Sequence, residues 1–288
     1  MQPSAKTIVI TGATNGIGLC AAQALANLGH KVVLHGRNPA KGAAALEQIR
    51  AQNPQAQVEF ICADFASLTQ VRTLAEQINQ LPQLDILINN AGAMFAQPML
   101  TEDGFEATFA VNHLAPFLLT QLVLDKLMAS AEARIINVAS NAHKRAGPLN
   151  FADLIQPRHY APFKVYCHSK LANILFTREL ARRLAGSTVK VNCLHPGVVR
   201  TGFFQNATPL MRAGLWLFGK LLLISPTAGA QTILHLATTE PLSVSGQYFV
   251  RCKQKKPADF ALDDQAAERL WQESLRLTQL TPLLLDSN

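Results

Sequence analysis

Tyr166 and Lys170 stand four residues apart in a segment whose apolar positions (Phe163, Val165, Leu171, Ile174, Leu175) recur at helical spacing, so both side chains project from one helix face. A phenol beside an ammonium is a proton-transfer pair. The cation stabilises phenolate and lowers the tyrosine pKa from about 10 towards neutrality, which makes a donor to a carbonyl or an acceptor from an alcohol. The same spacing also describes an exposed helix pair. Ser140, ending Asn137-Val138-Ala139-Ser140, offers a hydroxyl to polarise a substrate oxygen, or an ordinary strand-end cap. Asn112, in Val111-Asn112-His113-Leu114, is an amide inside a long apolar run and needs a partner there. It reads either as a satisfied core amide or as the holder of a water joining Lys170 to solvent.

A second group of residues suits phosphate. Thr11-Gly12-Ala13-Thr14-Asn15-Gly16-Ile17-Gly18 lies between an apolar strand pattern and a helical one. Gly12 permits the turn, Gly16 lets backbone approach a diphosphate, and Gly18 lets the helix pack on the strand. The helix N-terminus then presents free N–H groups to the anion. The spacing is TGxxxGxG rather than the general GxGxxG, and a purely structural turn is the alternative. A dinucleotide site usually carries an acidic residue at the end of the next strand, but this sequence has Leu34-His35-Gly36-Arg37-Asn38. Arg37 would pair with a 2′-phosphate, which favours NADP(H) over NAD(H), or it is an exposed loop cation. Asp64 would accept from an adenine amino group or cap the helix beginning near Ser67. Asn90, Ala91 and Gly92, in Asn89-Asn90-Ala91-Gly92, would admit the adenosine ribose or form a plain turn.

These residues need a frame that collects strand ends. Short β-branched runs (7–11, 31–35, 57–62, 84–88, 134–139, 188–194, 247–250) alternate with helical patterns (17–28, 40–51, 68–80, 104–129, 162–184, 226–237). The pattern predicts an α/β fold: a single Rossmann-type domain with a doubly wound parallel sheet of about seven strands and helices on both faces. Ile86-Leu87-Ile88 and Ile135-Ile136 lack polar alternation, as strands covered on both faces do. Two long connections, 141–161 and 202–225, follow strand ends at the edge where such sheets bind ligands. The second is crowded with Phe203, Phe204, Leu210, Met211, Leu215, Trp216, Leu217 and Phe218. It reads as an apolar lid over a lipophilic substrate, resting on a membrane surface through Arg212 and Lys220, or as a helix packed on the core or a dimer contact.

Composition narrows the classes. The 288 residues are 49% hydrophobic and 16% charged, which excludes disordered, collagenous and coiled-coil chains. The net charge of +7 comes from scattered basic residues, so no clustered face for nucleic acid is expected. The five cysteines lack CxxC spacing and read as reduced core thiols. No pair of the eight histidines has zinc-ligand spacing beside Cys or carboxylate, so no metal is expected. No signal-peptide pattern and no run of about 18 apolar residues occurs, pointing to a cytoplasmic protein, at most peripheral at a membrane.

The ordered set of 11–18, 89–92, Asn112, Ser140, Tyr166, Lys170 and Pro196-Gly197 resembles the short-chain dehydrogenase/reductase family over about residues 6–250. More narrowly, Asp85 to Gly92, Thr101-Glu102-Asp103-Gly104-Phe105-Glu106, Val111 to Leu114, Ser169 to Asn173 and Leu194-His195-Pro196-Gly197 resemble its retinol dehydrogenase and WW-domain oxidoreductase branch. Ala115-Pro116 and Ala139 depart from that branch without removing a catalytic group. The resemblance implies an NADP(H)-dependent interconversion of carbonyl and alcohol on a lipophilic substrate such as retinal or a long-chain aldehyde. Tyr166 would be general acid/base, Lys170 would lower its pKa and bind nicotinamide ribose, Ser140 would hold the reacting oxygen, and Asn112 would complete a proton relay. Pro196, Gly197, Val199 and Thr201 would contact the nicotinamide carboxamide and diphosphate, and dimers or tetramers are common in the family. A catalytically idle NADP-binding regulator on the same scaffold is the alternative.

Overall fold

The computed structural model describes residues 5–151, 153–155, 157, 159–197 and 224–281. Val199, Thr201 and the 202–225 segment other than Ile224 and Ser225 lie outside the described residues. The β-branched runs form β1 (Thr7–Ile10), β2 (Lys31–Gly36), β3 (Val58–Cys62), β4 (Ile86–Asn89), β5 (Arg134–Val138), β6 (Lys190–His195) and β7 (Tyr248–Val250). They pair in parallel in the order β3-β2-β1-β4-β5-β6-β7, and an antiparallel β8 (Lys253–Lys255) closes the edge on β7. Sequence periodicity missed this eighth strand because Lys253-Gln254-Lys255 is polar and exposed throughout. A tight turn with positive φ at Arg251 (51°) and Cys252 (60°) returns the chain on itself, as two-residue hairpins require.

Alternate residues of each central strand serve opposite faces. Ile8 and Ile10 of β1 pack with Ile86 and Ile88 of β4 against α1 (Gly16–Asn27), α2 (Pro39–Gln52) and α8 (Pro226–Thr238). Val9, Leu87 and Ile135 join the other core, covered by α3 (Leu68–Asn79), α5 (Ala115–Leu122), α7 (Pro162–Arg183) and α9 (Asp264–Leu277). Both faces are therefore dry, which is why the strands lack polar alternation.

Two helical regions differ from expectation. The single helix predicted over 104–129 is divided into α4 (Ala107–Phe109), a π-helical turn (Ala110–Leu114), α5 and α6 (Leu124–Met128). Pro116 has no N–H for the Asn112 carbonyl, and the Ala115 N–H reaches back five residues to Ala110, so the wide turn absorbs the lost bond. Helix α9 was not anticipated, although Asp263 caps it by accepting from Gln265 and Ala266 N–H, both at 3.0 Å. Its buried Ala267, Leu270, Trp271 and Ser274 share one face. Trp271 lies edge-on to Phe117 at 5.1 Å and under the Arg183 guanidinium at 4.5 Å. Among the described residues, no helix is long and apolar enough to cross a membrane.

Candidate active site

The strand order reverses between β1 and β4, opening a crevice at their carboxyl ends. The turn after β1 is laced to the turn after β4 by side chains the sequence singled out. Thr11 Oγ1 accepts from the Asn90 and Ala91 N–H groups, both at 3.0 Å, and Asn90 Nδ2 donates to the carbonyls of Thr11 (2.8 Å) and Gly12 (3.1 Å). Thr11 is fully buried, so its hydroxyl shapes the turn from beneath. Gly12 has φ +65° and a Cβ there would stand 2.8 Å from Ala91 Cα; one on Gly18 would stand 2.5 Å from Asn90 Nδ2. Side chains at either position would collide with the crevice wall.

Helix α1 begins at Gly16 behind Asn15, whose side chain makes no capping bond, and its first turn has no acidic residue. The N–H groups and positive end of the dipole are thus matched to an anion. Thr14, Asn15 and Ile17 flank this opening and are at least partly exposed. Arg37 is exposed just beyond β2. His35 before it is buried, lies against Phe65 with ring centroids 4.5 Å apart, and contacts the Ala63 carbonyl through Nε2 at 3.0 Å. Burial holds its pKa down at about 4, so Arg37 supplies the positive charge at this strand end. Asp64 is half-buried, and its Oδ1 accepts from Ala66 N–H at 3.0 Å; the cap of α3 is Ser67, accepting from Gln70 N–H at 3.3 Å. The fit to a dinucleotide phosphate therefore rests on an acid-free helix end, a cradle closed to side chains and an exposed cation at the neighbouring strand end.

The catalytic candidates converge one strand further along. Ser140 follows β5 and its Oγ accepts from Ala142 N–H at 3.1 Å. Tyr166, in the first turns of α7, has the Ser140 hydroxyl close enough to favour its phenolate. Lys170 follows one turn later on the same face, with Nζ 5.8 Å from the Tyr166 ring centre and donating to the Val138 carbonyl at 2.8 Å. Burial is the leading electrostatic effect on both. It pushes Tyr166 up to about 12 against the opposing Ser140 hydroxyl, and Lys170 down to about 8. The lysine charge does not lower Tyr166 as expected; desolvation governs both groups and favours each neutral form.

Asn112 sits on the π-helical turn and is fully buried. Its Nδ2 donates to the Ala93 carbonyl and to Ser169 Oγ, both at 2.9 Å, and its Oδ1 accepts from Ala93 N–H at 2.7 Å. Ser169 Oγ in turn donates to the Tyr166 carbonyl at 2.8 Å. Ser169 was overlooked as a functional residue although it lies within the Tyr166 to Lys170 motif. Gly92 is placed so that a Cβ on it would be 3.3 Å from both Asn112 Oδ1 and Lys170 Nζ. A side chain at Gly92 would therefore crowd both polar groups. Pro196 and Gly197 follow β6, with Gly197 at φ +98°.

The motif 101–106 has a different role from the catalytic set. Glu102 binds the Ser67 hydroxyl, Asp103 accepts from Leu68 N–H at 3.0 Å, and Glu106 accepts from Thr108 (2.9 Å) and Phe109 (2.7 Å). These carboxylates cap α3 and α4 and so position the π-helical turn carrying Asn112.

A family model described as short chain dehydrogenase matches residues 6–211. Human retinol dehydrogenase 13 is 47% identical over 286 residues, covering 96% of this chain and 85% of that protein. An uncharacterised Mycobacterium paratuberculosis protein of known crystal structure superimposes with a TM-score of 0.77 at 34% identity, covering 96% of this chain and 95% of its own. A short chain dehydrogenase from Escherichia coli CFT073, crystallised with NADPH, matches with a TM-score of 0.69 at 25% identity over 88% of this chain and 100% of its own.

Proposed function

Because this chain belongs to the short-chain dehydrogenase family, we propose that it is an NADP(H)-dependent oxidoreductase that interconverts a lipophilic carbonyl compound and its alcohol. The observation that carries the reading is Tyr166, half-buried with the Ser140 hydroxyl close enough to act on it, and Lys170 on the same helix face. An oxidoreductase acting on carbonyl and alcohol groups follows from family membership and the retinol dehydrogenase relatives. Preference for the phosphorylated cofactor is supported by Arg37 and by the NADPH bound in a structural relative. A lipophilic substrate is supported by the relatives' names and by the apolar residues of 202–225. With Arg212 and Lys220, that segment also supports peripheral contact of a cytoplasmic enzyme with a membrane surface.

The residues divide the work as follows. The start of α1, with Gly12 and Gly16, holds the diphosphate, Arg37 the 2′-phosphate, and the 90–92 turn the adenosine ribose. Val199 and Thr201 belong to the nicotinamide end of this reading. When bound, reduced nicotinamide supplies the hydride to the carbonyl carbon. Ser140 turns its O–H to the substrate oxygen, and Tyr166, kept protonated by burial, gives that oxygen its proton. Lys170 places positive charge behind the phenolate that results, and Asn112, held by Ala93 and Ser169, extends the path by which Tyr166 regains a proton. In alcohol oxidation the same proton moves the other way.

The test is oxidation of NADPH, with NADH in parallel, against all-trans-retinal, long-chain aldehydes, a steroid ketone and a quinone, for the wild type and Tyr166→Phe. The reading requires turnover with NADPH, and a kcat about 10²- to 10⁴-fold lower in the variant with NADPH affinity held within about twofold. NADPH binding without turnover in either form would identify a regulator instead.

A further inference from the structure

His143 lies in the 3₁₀ turn (Asn141–Arg145) directly after Ser140 and is fully buried. Its Nδ1 contacts the Ser140 carbonyl at 2.6 Å, and its Nε2 contacts the Ala258 N–H at 3.1 Å. An amide N–H only donates, so Nε2 must be the lone-pair nitrogen and Nδ1 must carry the proton. Only the neutral Nδ1–H tautomer makes both bonds. Ala258 belongs to the segment after β8, 115 residues away in sequence. A second tether comes from the same sheet edge: Tyr248 of β7 donates its O–H to Asn141 Oδ1 at 2.8 Å and sets its ring edge-on to His143. The turn that carries Ser140 is thus held by the late edge of the sheet, through a side chain with no surface.

We propose that His143 is a positioning residue for the reaction: its imidazole bridges the Ser140 carbonyl to the Ala258 amide and fixes the direction of the Ser140 hydroxyl towards Tyr166. The proposal rests on the catalytic reading of Ser140 and adds a proton condition. A protonated His143 turns Nε2 into a donor facing another donor, and the Ala258 bond is lost. The titratable groups around it are Lys144 on its own turn, His195 on β6 and Tyr248 on β7. Burial and Lys144 both hold the imidazole in its neutral form.

Asparagine places an N–H donor where Nδ1 stands, and glutamine places an acceptor near Nε2, so the two substitutions divide the bridge. With NADPH and the best carbonyl substrate, His143→Ala should lower kcat about 10- to 100-fold, as a displaced catalytic group does. NADPH affinity should stay within about twofold. His143→Asn should recover most of kcat and His143→Gln little, and the acid limb of the wild-type kcat profile should be weaker in His143→Asn. If the alanine variant fails to fold, the Asn and Gln pair carries the comparison. Independently of turnover, nitrogen shifts of the wild-type imidazole should report Nδ1–H at pH 7. An active wild type whose kcat survives His143→Ala, equal recovery by Asn and Gln, or an Nε2–H tautomer would overturn the positioning role alone. A wild type inert towards every carbonyl would overturn the function, and the positioning role with it.

Discussion

Three of the buried histidines have pKa values held far below the free imidazole, and acid should unfold the protein through them. His35, His113 and His195 are 3%, 1% and 7% exposed, and burial lowers their pKa values to about 4, about 3 and about 4. A histidine whose folded pKa lies below its unfolded value of about 6.5 contributes stability that is whole above pH 6.5 and disappears as pH falls towards the folded value. At pH 5 the unfolded chain has protonated all three and the folded chain none, which costs about 2 kcal/mol for each and about 6 kcal/mol together. That is comparable with the whole stability of an ordinary domain, about 5–15 kcal/mol. Glu106 opposes the trend: burial raises its pKa, so the folded state takes up its proton first on acidification and offsets part of the loss. Urea midpoints measured at pH 8, 6.5, 5.5 and 5 should therefore be flat above 6.5 and drop steeply below it. His35→Gln, which keeps an amide donor for the Ala63 carbonyl, should shrink the drop between pH 8 and pH 5 by about 2 kcal/mol. A midpoint independent of pH between 6.5 and 5, or an undiminished drop in the variant, would refute the reasoning.

Other substitutions test other parts of the frame. Arg37→Ala should weaken NADPH binding by about 10- to 100-fold, the worth of a charge-assisted hydrogen bond, and leave NADH binding unchanged; titration of each cofactor by fluorescence decides it. Gly12→Ala forces a side chain into φ +65° and to within 2.8 Å of Ala91 Cα, so chemical denaturation should show about 1–3 kcal/mol lost together with weakened NADPH affinity. Trp271→Ala removes the ring packed on Phe117, Phe176 and Arg183 and should cost about 3–5 kcal/mol, read from the urea midpoint at pH 8.

The sequence by itself determined the layered fold and picked out the candidate reacting groups. The alternation of apolar runs with helical periods specifies a parallel sheet because strands buried on both faces can afford no polar alternation, and glycine spacing marks the turn where backbone must approach an anion. Tyr166 and Lys170 were legible because four residues is one helical turn. Tertiary structure decided the features that depend on contacts between distant segments. The polar strand β8 forms because β7 offers an edge, and α9 is settled by packing on Phe117 and Phe176. The helix around Asn112 widens where Pro116 removes a donor, and its amide finds Ala93 and Ser169. Tyr166 and Lys170 drew their protonation from burial rather than from each other, since desolvation depends on every neighbour the fold collects. His143 shows the same division: its place beside Ser140 is local, but the amide on its other nitrogen lies 115 residues along the chain, and no periodicity in a sequence carries a contact of that range.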